Sequence, residues 1–249
     1  MKWLSLFFII LFFPSCQNKY FFLQSDQMDK RMVHLKKHKI WVSKYETTQK
    51  EYKAFLKDIQ SKENYPFKEC QIFSQMWTER LSMPFMETMQ KNYHDQAIFD
   101  EYPVVNISLK GAQYFCHWLG EKYHKYNLRT SKKVRFRLPT KEEFASLMNE
   151  VIIKYDSDEK EEYEFFDFNL KFYDDYAVDG GLNTIRVQLK PQTYSGLCSV
   201  IGNVSELLAD GEAVGGNWDC YPGDIEQPLD YSTPDPRIGF RIVMEVLEQ

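Results

Sequence analysis

The sequence predicts an α+β fold with a large share of irregular structure. Apolar residues at helical spacing occur in the first part of the chain, and short stretches typical of strands lie between them. Glycine and proline interrupt the chain repeatedly from residue 180 onward, which favours short segments joined by turns. No internal repeat or later boundary is visible, so residues 39–249 are expected to form one domain.

The first predicted elements are a strand and a helix. Residues 40–42 are Ile-Trp-Val, a short apolar stretch that favours a strand. Thr48 is suited to cap a helix, and Glu51 stands three residues later, which is the spacing of a capping box. Apolar residues at helical spacing then predict a helix over residues 49–59. Residues 60–100 lack clean periodicity and are expected to form a loop with a helical turn.

Two strands and a helix are predicted after residue 102. Residues 103–108 (Pro-Val-Val-Asn-Ile-Ser) are expected to form a buried strand. Ser108 is suited to cap a helix over residues 109–123, which carries apolar residues on one face. Residues 134–138 alternate between apolar and basic side chains, which predicts another strand.

The last predicted helix starts at Thr140. Glu143 follows three residues later and completes a second capping box. The apolar spacing carries this helix through Val151. A charge run at residues 156–164 comes next and is expected to be a solvated loop.

The first 16 residues carry the signals of export and lipid attachment. Lys2 precedes a run of 11 apolar residues, which suits a signal peptide and is too short for a spanning helix of about 20 residues. The run ends in Pro14-Ser15-Cys16, which resembles a bacterial lipobox with Phe in place of the upstream Leu. We therefore expect a lipoprotein signal peptide over residues 1–15, a palmitate-type lipid on Cys16, and a lipid-anchored tether over residues 16–38. An ordinary secretion signal cut elsewhere is the alternative.

The residues after Cys16, the net charge and the cysteine content limit the expected location, partners and disulfides. Gln17-Asn18 lacks the aspartate that retains some lipoproteins at the inner membrane, which favours the outer membrane of a bacterial envelope. The net charge is −5 and no basic stripe with interleaved aromatics is visible, so nucleic acid is not an expected partner. Four cysteines remain besides Cys16, and the sequence leaves open three disulfide pairings or none. They are Cys70, Cys116, Cys198 and Cys220.

Six short motifs carry a resemblance to a known family because they occur in a set order. They are Tyr45-Glu46-Thr47-Thr48-Gln49-x-x-Tyr52-x-x-Phe55, Pro103-Val104-Val105-Asn106-Ile107-Ser108 with the helix after it, Arg137-Leu138-Pro139-Thr140-x-Glu142-Glu143-Phe144, Gly196-Leu197 through Gly202-Asn203-Val204-x-Glu206, Gly215-Gly216-Asn217-Trp218 and Ile238-Gly239-Phe240-Arg241. Over residues 40–245 they resemble the formylglycine-generating enzyme (sulfatase-modifying factor) family. The resemblance implies that family's C-type-lectin-like fold, which is loop-rich and has little regular secondary structure.

Most residues of these motifs are interpreted as determinants of the fold. The two arginines are expected to pair with buried carboxylates, for which two glutamates of the motifs are candidates. The glycine pairs are expected to supply backbone angles that residues with a Cβ avoid. This structural set comprises Arg137, Glu143, Asn203, Gly216, Trp218 and Arg241.

The resemblance also implies calcium. Asp179 and the carbonyl of Gly181 match a calcium-binding loop of the family, with Asn169 as a further oxygen ligand. Glu206 matches the carboxylate of a second calcium site. Ser199 stands where the family often has Asp or Asn in that second site. Because calcium needs several oxygen ligands with enough negative charge, the second site is the weaker expectation.

The copper site of the family is half present in this sequence. Catalysis in the family needs two thiolates five residues apart after the Gly-Gly-Ser-Trp motif, which bind copper(I), a soft ion that prefers sulfur. Cys220 matches the first position, whereas Ile225 stands at the second and cannot bind a metal. The site is therefore half built unless Cys198 or Cys70 supplies the second sulfur, and the alternative is that Cys220 is a buried or disulfide-bonded cysteine without a metal. Val214 also replaces the arginine that usually precedes Gly-Gly.

Three functions are compatible with this pattern. The leading hypothesis is a non-catalytic, lipid-anchored domain that acts as a protein-interaction or scaffold module, with envelope proteins as partners and no small-molecule substrate. The first alternative is a copper-dependent oxidase that converts a substrate cysteine to formylglycine, with Cys220 as the catalytic residue. The second alternative is a glycan-binding module, by similarity to lectins.

Overall fold

The computed structural model describes residues 30–126, 133–157, 168–171, 183–189, 191–229 and 231–247. It confirms a mixed α+β fold. The helices are α1 (Gln49–Ile59), α2 (Phe67–Cys70), α3 (Met76–Arg80), α4 (Met86–Asn92), α5 (Leu109–Tyr126) and α6 (Lys141–Ser157). The strands are β1 (Met32–Leu35), β2 (Ile40–Ser43), β3 (Lys133–Arg137), β4 (Ser205–Leu207), β5 (Ala213–Val214), β6 (Ile238–Gly239) and β7 (Val243–Leu247). Single 3-10 turns lie at Lys36–His38, Ala97–Phe99 and Pro222–Asp224.

The larger sheet is antiparallel and has the strand order β1-β2-β7-β3. The central pair joins Trp41 of β2 to Met244 of β7. On the other side, Phe136 of β3 also lies opposite Met244. Strand β7 therefore connects the N-terminal hairpin to β3, although it comes later in the chain than all of them.

The smaller sheet has the order β5-β4-β6 and is mixed. Strand β4 is antiparallel to β5 and parallel to β6. Glu206 of β4 lies opposite Gly239 of β6. This pairing brings the Gly-Asn-Val-x-Glu motif beside the Ile-Gly-Phe-Arg motif.

Both predicted capping boxes are present. The Thr48 hydroxyl accepts from the backbone N–H of Glu51, and the Glu51 carboxylate accepts from the N–H of Thr48 at 2.9 Å. Thr140 and Glu143 make the same reciprocal pair at the start of α6. These bonds satisfy backbone donors that the first turn of a helix leaves free, so both helices begin where the sequence predicts.

Two predictions for the segment between α1 and α5 are wrong. Residues 60–100 form three short helices and a 3-10 turn, not a loop with a single helical turn. Residues 103–108 are buried but are not a strand, apart from one bridge between Pro103 and Thr48. Asn106 has φ 59°, a left-handed conformation that interrupts an extended strand.

The start of the domain also differs from the expected boundary at Lys39. Strand β1 pairs with β2 from Met32↔Ser43 to Leu35↔Ile40, so residues 32–38 belong to the folded domain and not to a tether. Most of the predicted charge run at 156–164, and the signal peptide with Cys16, lie outside the described residues. Among the described residues, no helix is both long and apolar enough to cross a membrane.

The core holds the two sheets and the long helices together. Its largest cluster packs the aromatic rings of Tyr52, Phe55, Phe115 and Phe240 between α1, α5 and the segment after β6. Burying such side chains contributes roughly 1.5–3 kcal/mol each. A second cluster packs α6 against β2 and the segment at 197–201. Together they fix the segments that follow β2 and β6 against the segment that precedes β4.

Candidate functional site

A buried ion pair lies where those segments meet. The Arg241 guanidinium donates from Nε to both carboxylate oxygens of Glu206, at 2.8 and 2.6 Å. Both side chains are fully buried. The remaining N–H groups of Arg241 donate to backbone carbonyls, including those of Ser43 at 3.1 Å and Cys198 at 3.0 Å. Arg241 therefore ties three separate loops together.

A second carboxyl group, that of Glu46, lies in the same cluster. Its Oε1 accepts from Asn203 Nδ2 at 2.8 Å, and its Oε2 has no partner. Burial raises the pKa of Glu46 to about 8, although Arg241 opposes that shift. One guanidinium thus faces two carboxyl groups. Because Glu206 accepts the Arg241 hydrogen bonds, we assign the negative charge to Glu206 and the proton to Glu46.

Asn203 connects this cluster to the neighbouring loops. Its backbone has φ 62°, and its Oδ1 accepts from the backbone N–H of Ile185 and from Asn169 Nδ2. Gly202 before it has φ 83°, and a Cβ at Gly202 would lie 2.8 Å from the carbonyl oxygen of Asn169. The glycine is therefore required both by its backbone angle and by the close approach. This agrees with the prediction for the Gly-Asn pair.

The second predicted arginine pair is also present. Arg137 donates to Glu143 in a bidentate arrangement, at 2.7 and 2.8 Å. Glu143 is the same residue that caps α6, so the pair fixes β3 to the start of that helix. The hydrogen bonds from Arg137 and Thr140 hold the pKa of Glu143 below its usual value against the effect of burial.

Trp218 and Gly216 both lie in the interior of the domain. Trp218 is fully buried and stacks on Trp77 at 6.3 Å between ring centroids. Gly216 has φ 74°, and a Cβ there would lie 3.0 Å from Cγ2 of Ile225. Ile225 thus lies directly against the Gly-Gly motif.

At the two positions that match the copper ligands of the family, this chain has one thiol and one aliphatic side chain. Cys220 is half-buried, and its Sγ donates to the carbonyl of Tyr221 at 3.3 Å. Ile225, five residues later, packs against the hydrophobic cluster of α6 and β2. Burial raises the pKa of the Cys220 thiol. An aliphatic side chain and one protonated thiol do not fit copper(I), which binds thiolates.

The surroundings of Cys220 are charged. Asp219 lies 3.8 Å from Lys171 Nζ and 3.7 Å from an Arg237 nitrogen. Arg237 also donates to both carboxylate oxygens of Asp235, at 2.9 and 2.8 Å. Burial and the carboxylates of Asp224 and Asp219 raise the pKa of the Cys220 thiol, although Arg237 acts in the opposite direction and favours the thiolate.

The four cysteines of the domain are free thiols. Burial raises the pKa of Cys116 to about 12 and that of Cys70 to about 11. None of the disulfide pairings that the sequence left open is formed. These thiols pack as small apolar groups.

The calcium ligands are only partly within the described residues. Asp179 and Gly181 lie outside them, and Asn169 takes part in the Asn203 network. The oxygens of Glu206 accept from Arg241, so a calcium ion at Glu206 would require this pair to open. No group of three or more His, Cys, Asp or Glu side chains that could hold a metal occurs in the described part of the chain. Calcium therefore stays a prediction.

Two features of the interior were not identified in the sequence. The sequence identifies Glu46 only as part of a motif, and no neighbouring residue indicates that its side chain is buried beside Arg241. His94 is buried too, and its Nε2 accepts from Trp77 Nε1 at 3.3 Å, while Nδ1 lies 3.1 Å from Gln49 Oε1. Trp77 can only donate, so the neutral ring carries its proton on Nδ1. Burial lowers the pKa of His94 to about 3.

Solved structures share this fold at low sequence identity. CarF is 19% identical with a TM-score of 0.56, over 84% of this chain and 87% of CarF. PvdO from Pseudomonas aeruginosa is 19% identical with a TM-score of 0.53, over 83% of this chain and 80% of PvdO. Treponema denticola variable protein 1 is 16% identical with a TM-score of 0.50, over 82% of this chain and 84% of that protein. These likenesses show the fold alone.

The sequence comparison is more specific than the structural one. A search of curated proteins finds no match to this chain. The family model described as "Sulfatase-modifying factor enzyme 1-like domain" matches residues 20–246. This match covers the ion pairs, the glycine motifs and the Cys220 groove described above. The chain belongs to the sulfatase-modifying factor enzyme 1-like (FGE-sulfatase) domain family.

Proposed function

We propose that this chain is a non-catalytic member of its family, lipid-anchored at the bacterial envelope, where the domain acts as a protein-interaction or scaffold module. The observation that carries the proposal is Ile225. It stands at the second thiol position and packs against an apolar cluster. The remaining thiol, Cys220, is partly desolvated and has a raised pKa.

The physical argument concerns the metal. Copper(I) is soft and is held by sulfur ligands. Near Cys220 the available groups are an aliphatic chain, a carboxylate paired with cations, and a lysine over a tyrosine ring. A single thiol among such groups offers copper(I) one ligand only. The ion pairs and glycine turns of the family motifs are nevertheless kept in the described residues, which is what a domain that serves as a binding scaffold requires.

The copper test compares the wild type with Ile225→Cys and Cys220→Ser. We expect the wild type to bind copper(I) no more tightly than Cys220→Ser does. Ile225→Cys should bind copper(I) at least about tenfold more tightly than the wild type, because a second sulfur ligand adds about 1.4 kcal/mol or more. Competition with a chromogenic copper(I) chelator measures the affinities. In parallel, a Cys-x-Pro-x-Arg peptide is incubated with copper-loaded protein and probed with a hydrazide for aldehyde. Aldehyde from the wild type that is lost in Cys220→Ser would establish the oxidase instead.

The anchor is tested by Cys16→Ser. We expect the wild type to be recovered with bacterial membranes and to incorporate an alkynyl palmitate label, since two or three acyl chains hold a protein at a bilayer. Cys16→Ser is expected to lose both properties. Cys220→Ser is the matched control, because it removes another accessible sulfur and should leave both unchanged. Labelling that persists in Cys16→Ser would contradict the anchor.

A further inference from the structure

A cavity of about 420 Å³ opens beside the start of the domain. It is lined by residues of four segments: Lys30 and Arg31 before β1, Lys44 and Tyr45 after β2, Gln188, and Gly196 with Cys198. Its volume lies within the range typical of small-ligand sites, roughly 300–1,000 Å³. Cys220 is not among the lining residues, so this cavity is separate from the position of the family's copper site.

The lining of this cavity is cationic and includes no acidic side chain. Arg31 is already neutralised, because it pairs with Glu51 and donates to Ser43 Oγ at 3.2 Å. Its guanidinium also lies over the Tyr45 ring, 4.8 Å from the centroid. Lys30 and Lys44 differ from it: within the described residues neither ammonium group is part of an ion pair.

The backbone holds Lys44 in a fixed position. Its N–H donates to the carbonyl of Arg31 at 2.8 Å, and its carbonyl accepts from the N–H of Cys198 at 2.7 Å. Arg241 adds a further bond to the same carbonyl at 3.4 Å. The lysine side chain is half-buried. A rigid backbone beside a partly desolvated, unpaired cation is favourable for binding an anion, because less order has to be imposed on binding.

The number and type of donors favour a phosphate monoester. Such a group carries a charge of about −1.5 to −2 at neutral pH, which two ammonium groups balance. Lysine binds phosphate as a point charge, whereas the planar fork of arginine binds both carboxylate and phosphate in a bidentate manner. The only arginine of the lining, Arg31, is occupied by Glu51. Tyr45 and Gln188, whose side chains can also donate hydrogen bonds, are among the lining residues.

We propose that this cavity binds a phosphate monoester group through Lys30 and Lys44. The group belongs either to a soluble phosphorylated molecule or to a lipid headgroup at the membrane surface. The chemistry is the same in both cases. The two sources are separated by experiment.

The test is calorimetric titration of the protein with glycerol phosphate at low ionic strength. We expect Lys44→Gln to weaken binding at least about tenfold. Lys57→Gln is the matched control: Lys57 is exposed on α1, does not line the cavity, and changes the net charge equally. Lys30→Gln, at an exposed position, should also weaken binding. If Lys44→Gln lowers the unfolding temperature, the effect of Lys30→Gln on binding still tests the proposal. Binding should weaken as salt is raised.

Two results would overturn the proposal: wild-type protein that does not bind glycerol phosphate, or equal weakening by Lys44→Gln and Lys57→Gln. Sedimentation with vesicles that contain phosphatidic acid identifies the source. Vesicle binding that Lys44→Gln abolishes assigns a lipid headgroup. Binding of glycerol phosphate without vesicle binding assigns a soluble ligand.

Discussion

Replacing Arg241 by methionine is expected to lower the free energy of unfolding by about 3–5 kcal/mol. The substitution leaves Glu206 as a buried carboxylate without its cation. It also removes the donors of carbonyl groups in two other loops, at Ser43 and Cys198. Since domains are stable by only about 5–15 kcal/mol, the variant should unfold at a clearly lower urea concentration.

The control is Arg135→Met, which makes the same chemical change at the surface. Arg135 pairs with Glu245 at 2.6 Å but is largely exposed, so its loss should cost no more than about 1 kcal/mol. The double variant Arg241→Met with Glu206→Gln should be less unstable than the sum of the single variants, because the second change removes the unpaired charge. Equal stability losses for Arg241→Met and Arg135→Met would show that the buried pair has no special role.

Stability is expected to fall by about 2 kcal/mol between pH 6.5 and 8 because of Glu46. The pKa of the Glu46 carboxyl is about 8 in the folded protein, against the usual 4.5 that applies to the unfolded chain. The folded protein therefore retains a proton that the unfolded chain has lost, and each pH unit upward reduces stability. The stabilisation that Glu46 provides is fully present below pH 4.5 and is lost as the pH rises through 8. His94, with a pKa of about 3 against the usual 6.5, has the opposite effect below pH 6.5.

Urea unfolding of the wild type and of Glu46→Gln, under reducing conditions from pH 5 to 8.5, measures this dependence. Glutamine keeps the shape of a protonated glutamate and cannot ionise, so its curve should be flat between pH 6.5 and 8. Between pH 5 and 6.5 the two wild-type contributions should nearly cancel. The stability of His94→Gln should therefore already decline between pH 5 and 6.5. A wild-type stability that is constant or rises from pH 6.5 to 8 would refute the assignment of the proton to Glu46.

Local side-chain chemistry explains the parts of the fold that the sequence predicted well. Thr48 and Thr140 begin helices in the structure because a capping box involves only residues three apart. The Arg137–Glu143 pair is similarly local. The Arg241–Glu206 pair spans 35 residues and was expected only because ordered motifs resemble a family. The left-handed angles at Gly202 and Gly216 followed from the glycines themselves.

The parts that were missed depend on contacts between distant segments. The apolar stretch Val104–Val105 is buried like a strand, but Asn106 turns the backbone and donates to His94 at 3.2 Å. Nothing adjacent to Glu46 indicates its burial, since its neighbours in space come from residues 203, 206 and 241. The cationic cavity likewise joins segments near residues 30, 44 and 188–198, which are far apart in the sequence. Periodicity and capping patterns are local and carry no information about which distant segments come into contact.

The position of β7 has a consequence for biogenesis. In order of synthesis β7 follows every strand that it joins, and it is an interior strand of the larger sheet. Arg241, the counter-ion of the buried acids, is supplied just before it. A nascent polypeptide that has not yet delivered residues 241–247 lacks the strand that joins β2 to β3 and the cation that pairs with Glu206. We therefore expect this domain to reach its native fold only after nearly all of it has been made.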